Sequence, residues 1–112
     1  TAIEGGMFSN HYAPGSDDPI AKAFYDNYVK RFGAPPDAFA ALTYDACLIV
    51  GNAITKAGKL DTKAIRDAMA ATKDLGAVSG KLTMDENRNP IKGAVILEIK
   101  GGKFVYRDMV NP

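Results

Sequence analysis

What the 112 residues lack narrows the field first. There is one cysteine, Cys47, and one histidine, His11. A single cysteine closes no internal disulfide and builds no cysteine-based zinc site, so cysteine usage leaves the redox compartment open. Charge of either sign is not in excess: 14 Lys and Arg stand against 13 Asp and Glu, a net of +1. Without a basic block, a nucleic-acid partner loses its main electrostatic argument. No apolar run exceeds five residues, Ala46–Val50 being one. A membrane helix needs about 20, so no span is expected. No signal peptide is read at the start. Thr1-Ala-Ile-Glu-Gly-Gly6 has neither Met nor a basic n-region, and we expect a mature or cut piece of a longer chain. Repeats and low-complexity tracts are missing as well.

What is present is ordinary for a globular domain: 46% apolar and 24% charged residues. That composition argues against disorder, and the length fits one domain with a modest core that needs no metal or disulfide. Gly and Pro cut the chain into short units. Gly6–Tyr12 reads as a short strand. Asp18 is placed to cap a helix with Pro19 at its first position. Ile20, Phe24 and Tyr28, widened by Tyr25, Val29 and Phe32, give that helix its apolar stripe over 19–32. Gly33 ends it and Pro35-Pro36 prevent continuation. A second helix starts after Asp37 and runs to Ala57 before Gly58. Between Ala38 and Ala53 its only charge is Asp45, so burial on most sides is expected. A third helix follows Asp61, with Leu60 and Ile65 as a hydrophobic staple, and ends near Thr72. Beyond Gly76 the period changes to two. Val78 with Lys81–Met84 reads as a strand, Asp85–Pro90 as a turn, Ala94–Ile99 as a strand, Gly101-Gly102 as a two-residue hairpin turn, and Lys103–Val110 as the return strand. The expected class is α/β with the order β-α-α-α-β-β-β. One short strand, three helices and a terminal hairpin leave the second helix without a sheet to cover. A larger protein or a second copy is expected to supply it.

Several residue groups invite a chemical reading. His11 has no readable Ser or acid partner and is taken as a loop or strand-end residue. Asp85, Asn87 and Asn89 imitate the start of a calcium loop. Pro90 stands where Gly is required and Ile96 where Glu is, so a polar turn is the better reading. Asp17-Asp18 and Asp85-Glu86 are neighbours in loops, with no assurance of the spacing that paired carboxylates need. Gly5-Gly6 and Gly101-Gly102 lack the helix and lysine of a phosphate loop. Cys47, inside the apolar helix, is read as a buried small hydrophobe. Phe39 opens the second helix after the Pro-Pro loop, where ligands meet aromatic rings and free N–H groups; a core aromatic is the plainer alternative. No catalytic residue, cofactor or metal site is read.

Taken in order, Ile3-Glu-Gly-Gly-Met-Phe8, Asp17-Asp-Pro19 with its helix, Pro36-Asp-Ala-Phe-Ala-Ala-Leu-Thr-Tyr-Asp-Ala46, Ala64-Ile-Arg-Asp-Ala68, Gly80-Lys-Leu-Thr-Met-Asp-Glu-Asn87 and Gly102-Lys-Phe-Val-Tyr106 resemble the C-terminal third of the branched-chain amino acid-binding proteins. These leucine/isoleucine/valine-binding proteins are type I periplasmic solute-binding proteins of ABC transporters. The resemblance covers nearly the whole chain. It implies two α/β lobes joined by three crossovers around a ligand cleft. Residues 1–13 would be a crossover strand, 14–75 three helices of the N-terminal lobe, and 76–112 the terminal strands and hairpin. It also implies an extracytoplasmic protein that is no enzyme. Such a protein captures a small amino acid, closes by hinge bending, and delivers the ligand to ABC permease subunits. Phe39 matches the aromatic that packs on the ligand side chain, and Tyr12, near the crossover, lines the cleft. The acid that pairs with the ligand ammonium falls before this chain, and Glu4 is not it. Removed from its sheet, the segment is expected to expose an apolar face and form a homodimer, with exchange of the terminal strands as one route. Two other readings stay open: an autonomous oligomeric interaction module, and a small hydrolase built on His11.

Overall fold

A computed structural model describes residues 2–112. The elements are β1 (Met7–Asn10), α1 (Pro19–Phe32), α2 (Ala38–Ala57), α3 (Thr62–Ala70), β2 (Leu75–Ala77), β3 (Gly80–Met84), β4 (Pro90–Ile91), β5 (Ala94–Lys100) and β6 (Lys103–Val110). The mixed α/β class stands, but the order gains two strands, β2 and β4. Both are too short to show a period of two, and both exist because β3 pairs with them, antiparallel, on either side.

The helices begin where their capping side chains place them. Asp18 accepts from the amides of Ile20 and Ala21, Asp37 from Ala40, and Asp61 from Ala64. These bonds satisfy N–H groups that have no partner inside the helix. Gly33 and Gly58 close α1 and α2 in the left-handed conformation, with φ of 73° and 65°, at no Cβ cost. The expected staple before α3 is absent, because Leu60 is 89% exposed. No apolar neighbour reaches it across the tight Gly58–Asp61 turn.

Two bodies result. In one, α1, α2 and α3 pack with the β2-β3-β4 sheet. In the other, β1, β5 and β6 form an antiparallel sheet in the order β1-β5-β6. Gly101 and Gly102, at φ of 58° and 71°, make the primed turn that joins β5 to β6. The helices make their main sheet contacts with β2, so among the described residues the β1-β5-β6 sheet carries no helical layer. The core is accordingly split: Tyr12, Ala21, Phe24, Ala41 and Val78 form one cluster, and Ala13, Val95 and Leu97 another. β2, β3 and β4 pair with one another beside the helices, while β5 and β6 pair with β1.

The molecule is extended. Its Cα radius of gyration is 16.0 Å and its dimensions are 53 × 32 × 20 Å, whereas a compact domain of this length has a radius near 13 Å. It exposes 7633 Å² for 11.9 kDa, roughly 1,700 Å² more than the size scaling gives for a compact monomer.

Candidate functional site

The two sequence-predicted ligand positions fall in different surroundings. Phe39 stands in the first turn of α2, directly after the Pro35-Pro36 loop and the Asp37 cap. Its side chain is 80% exposed, so it is no core aromatic in this chain. It borders a shallow groove of about 460 Å³ between α1 and α2, shared with Phe24, Tyr28, Phe32, Tyr44 and Cys47. The rings along the groove follow one another at tilted angles: Phe24 lies 5.0 Å from Tyr44 and 5.7 Å from Tyr28, and Tyr28 lies 4.6 Å from Phe32. Arg31 sits over the Phe32 ring at 5.6 Å. Phe39 thus borders a groove that is otherwise lined largely by aromatic rings and is open to solvent.

Tyr12 is only 4% exposed and meets Phe24 edge to face at 6.0 Å. Its hydroxyl is buried without a hydrogen-bond partner among the described residues. Burial, reinforced by the neighbouring Tyr25 phenol, pushes its pKa up to about 12, because the charged phenolate is disfavoured away from water. Part of Tyr12 borders a second groove, of about 500 Å³, with Pro14, Asp17, Lys22, Tyr25 and Asp26. Phe24 is therefore the residue that links the two positions, touching Tyr12 with one edge and the Phe39 groove with the other.

Asp45 is the functional surprise of α2. It is 2% exposed, and its two carboxylate oxygens accept from the amides of Val78 at 2.7 Å and Ser79 at 3.0 Å. These charge-assisted bonds clamp the β2–β3 turn onto the middle of α2. Lys92 approaches the same carboxylate from the crossing between β4 and β5. Its ammonium is buried, and burial lowers its pKa while Asp45 partly offsets that effect. The signal was present in the sequence as the one acid in an apolar helix; what it bonds to lies 33 residues on.

Other candidates resolve as architecture. Glu4 Oε1 accepts from the Gly101 amide at 2.7 Å, closing the β5–β6 turn. One Asp85 oxygen accepts from the amides of both Asn87 and Asn89, which makes that loop a self-bonded turn. His11 is exposed at the end of β1 and its amide donates to Asn10. Cys47 is exposed, against the expectation of burial: α2 buries only Ala41, Asp45 and Ala53 deeply, because no second sheet covers its outer face. By length and composition α2 is also long and apolar enough to cross a membrane, which counting unbroken apolar runs had missed.

The extended shape, the split core and the half-covered apolar helix are the frame in which the comparisons with known proteins fall. A profile described as "Periplasmic binding protein" matches residues 1–103, and the chain belongs to that family. Members of the family bind solutes outside the cytoplasm for ABC transporters and are not enzymes. Among solved structures, the chain is similar to the leucine-binding protein LivK of Thermotoga maritima (TM-score 0.86, 35% identity, 99% of this chain and 32% of that one). It is also similar to LivJ of Streptococcus pneumoniae in complex with isoleucine (TM-score 0.83, 32% identity, 95% and 30%). A third is an ABC transporter solute-binding protein from R. palustris in complex with benzoate (TM-score 0.85, 26% identity, 99% and 31%). The chain thus spans about a third of the length of the structures it matches. No curated protein matches it.

Proposed function

We propose that this chain is one segment of an extracytoplasmic solute-binding protein that captures a branched-chain or similar small amino acid and passes it to the permease of an ABC importer. Residues 1–13 act as a crossover strand, 14–75 belong to the N-terminal lobe, and 76–112 return through the terminal strands. The carrying observation is Phe39: a large aromatic, presented at a helix start, beside a groove lined by further aromatic rings and left open to solvent. An aliphatic side chain fits that wall by apolar contact alone. Tyr12 joins the reading as a cleft-lining residue through the groove it borders near the crossover. The similarity to a leucine-binding protein and to an isoleucine complex supports the amino acid class.

The chain on its own is read as too small a part of the cleft to hold an amino acid, and as pairing with a second copy that covers its excess surface. Isothermal titration of leucine, isoleucine and valine into the whole binding protein tests the capture reading, with benzoate as the off-class ligand. Saturable binding of the aliphatic amino acids, weakened about tenfold or more by Phe39→Ala, is the expected result. The alternative, an oligomeric interaction module, predicts cooperative unfolding with a concentration-dependent midpoint and no response to any amino acid.

A further inference from the structure

The chain passes between the two bodies twice, and both passages are built alike. At Tyr12-Ala13, the Tyr12 ring joins the apolar cluster of the helical body, with Phe24, Ala41 and Val78, while Ala13 joins the cluster of the β1-β5-β6 sheet, with Val95 and Leu97. At Lys92-Gly93, the Lys92 ammonium is buried near Asp45 of α2, while Gly93 lies against Met109, Asn111 and the Val110 carbonyl at the end of β6. Asn10 pairs with Val95 across β1 and β5, so the two passages leave the sheet side by side. Beyond them, among the described residues, no helix or strand of one body makes more than isolated contacts with an element of the other. The angle between the bodies is therefore set at the passages.

Tyr12 is held at its passage by packing, Lys92 by charge. The Lys92 Nζ is buried without a hydrogen-bond partner among the described residues. The residue as a whole is only half-buried, and a lysine stem ordinarily carries its ammonium out to water. An ammonium kept inside without a partner is costly. Asp45 is the carboxylate that opposes this cost. It cannot follow Lys92, because the Val78 and Ser79 amides hold both its oxygens. We infer that Lys92 is a positioning residue: its ammonium, drawn to the fixed Asp45 carboxylate, ties the β4–β5 crossing to α2 and sets the angle between the two bodies. A compact point charge suits the task, because Coulomb attraction needs no particular direction and acts across a low-dielectric interior. Rotating the sheet about its two passages moves Lys92 away from Asp45 and loses that attraction.

Residual dipolar couplings on the 112-residue chain read that angle directly. One alignment tensor fits both the helical body and the β1-β5-β6 sheet of wild type. Lys92→Met keeps an unbranched stem and removes the charge. The common tensor is then lost, and the two bodies need tensors of different magnitude because they reorient independently. Couplings within each body still fit their own geometry, which separates a loosened angle from a lost fold. Lys92→Arg keeps the charge and restores the common tensor. On the native chain, acetic anhydride modifies Lys92 at no more than about a tenth of the rate of the exposed Lys73 and Lys103, since modification waits on local opening. That readout needs no variant and decides the matter if Lys92→Met fails to fold. Separate tensors in wild type, or one tensor kept in Lys92→Met, overturn the inference. So does a Lys92→Arg chain that behaves as Lys92→Met, or modification of Lys92 at the rate of Lys73 and Lys103. No ligand enters these measurements, so amino acid capture by the whole protein stands or falls apart from them.

Discussion

Asp45 shows how one side chain sets the position of others. A carboxylate in the interior is costly unless its oxygens are bonded. Here the two amides of the β2–β3 turn satisfy it, and the turn in turn gains partners it could not find in a three-residue strand. Asp45→Ala is expected to lose about 3 kcal/mol of stability, since two bonds to a charged acceptor vanish and two buried N–H groups are orphaned; chemical denaturation measures it. Tyr12 behaves oppositely. Its hydroxyl is buried without a partner among the described residues, so Tyr12→Phe is expected to be neutral or to stabilise by up to about 1 kcal/mol. Its pKa, about 12 against an ordinary 10.0, also fixes a pH window. The folded state favours the neutral phenol, so its contribution is complete below pH 10 and is lost as pH rises through 12. Denaturation curves between those values should fall more steeply for wild type than for Tyr12→Phe. On the proposed reading, Phe39 should separate stability from function. With its side chain 80% exposed, Phe39→Ala should change the stability of the chain by less than about 0.5 kcal/mol, while ligand affinity in the whole protein falls.

At the scale of elements, what the sequence made legible was what neighbours in the chain decide. Helix caps Asp18, Asp37 and Asp61, the stops Gly33 and Gly58, and the Gly101-Gly102 turn are local devices, and α1 and α2 lie where they predict. β2 and β4 were not legible, because Leu75-Gly-Ala77 and Pro90-Ile91 have no pattern of their own and are strands only through β3. The exposure of Cys47 was not legible either. Apolar periodicity tells which face of α2 seeks cover, not whether cover is at hand. Of the candidate site, the placement of Phe39 at a helix start was readable; the aromatic lining of the groove beside it depends on how α1 lies against α2. Gly93 marks the crossing between the two bodies. A Cβ there would meet Met109 Sδ at 2.8 Å, Asn111 Oδ1 at 2.9 Å and the Val110 carbonyl oxygen at 3.2 Å. The carbonyl is backbone and cannot swing aside. Gly93→Ala is expected to cost about 1–3 kcal/mol and to loosen β6 from β5, which amide hydrogen exchange along Lys103–Val110 would report.

At the scale of the whole molecule, the excess surface and the split core have one cause. Two small sheets and three helices are joined through the Tyr12-Ala13 and Lys92-Gly93 crossings, and each body lacks a layer. Among the described residues, the β1-β5-β6 sheet has no helices on it and α2 has no sheet on its outer face. Both omissions are what one third of a two-lobed binding protein would show, and the similarity to LivK over 99% of this chain and 32% of that one agrees. On the proposed reading, Phe39 would stand where the uncovered helix α2 meets the ligand cleft.

The most direct test of that account is a calorimetric titration of leucine into the whole binding protein, with and without Phe39→Ala. One-site binding that the substitution weakens about tenfold or more, with the melting curve of the unliganded protein unchanged, is the predicted result. Absence of binding to any aliphatic amino acid, or binding indifferent to Phe39→Ala, would contradict it.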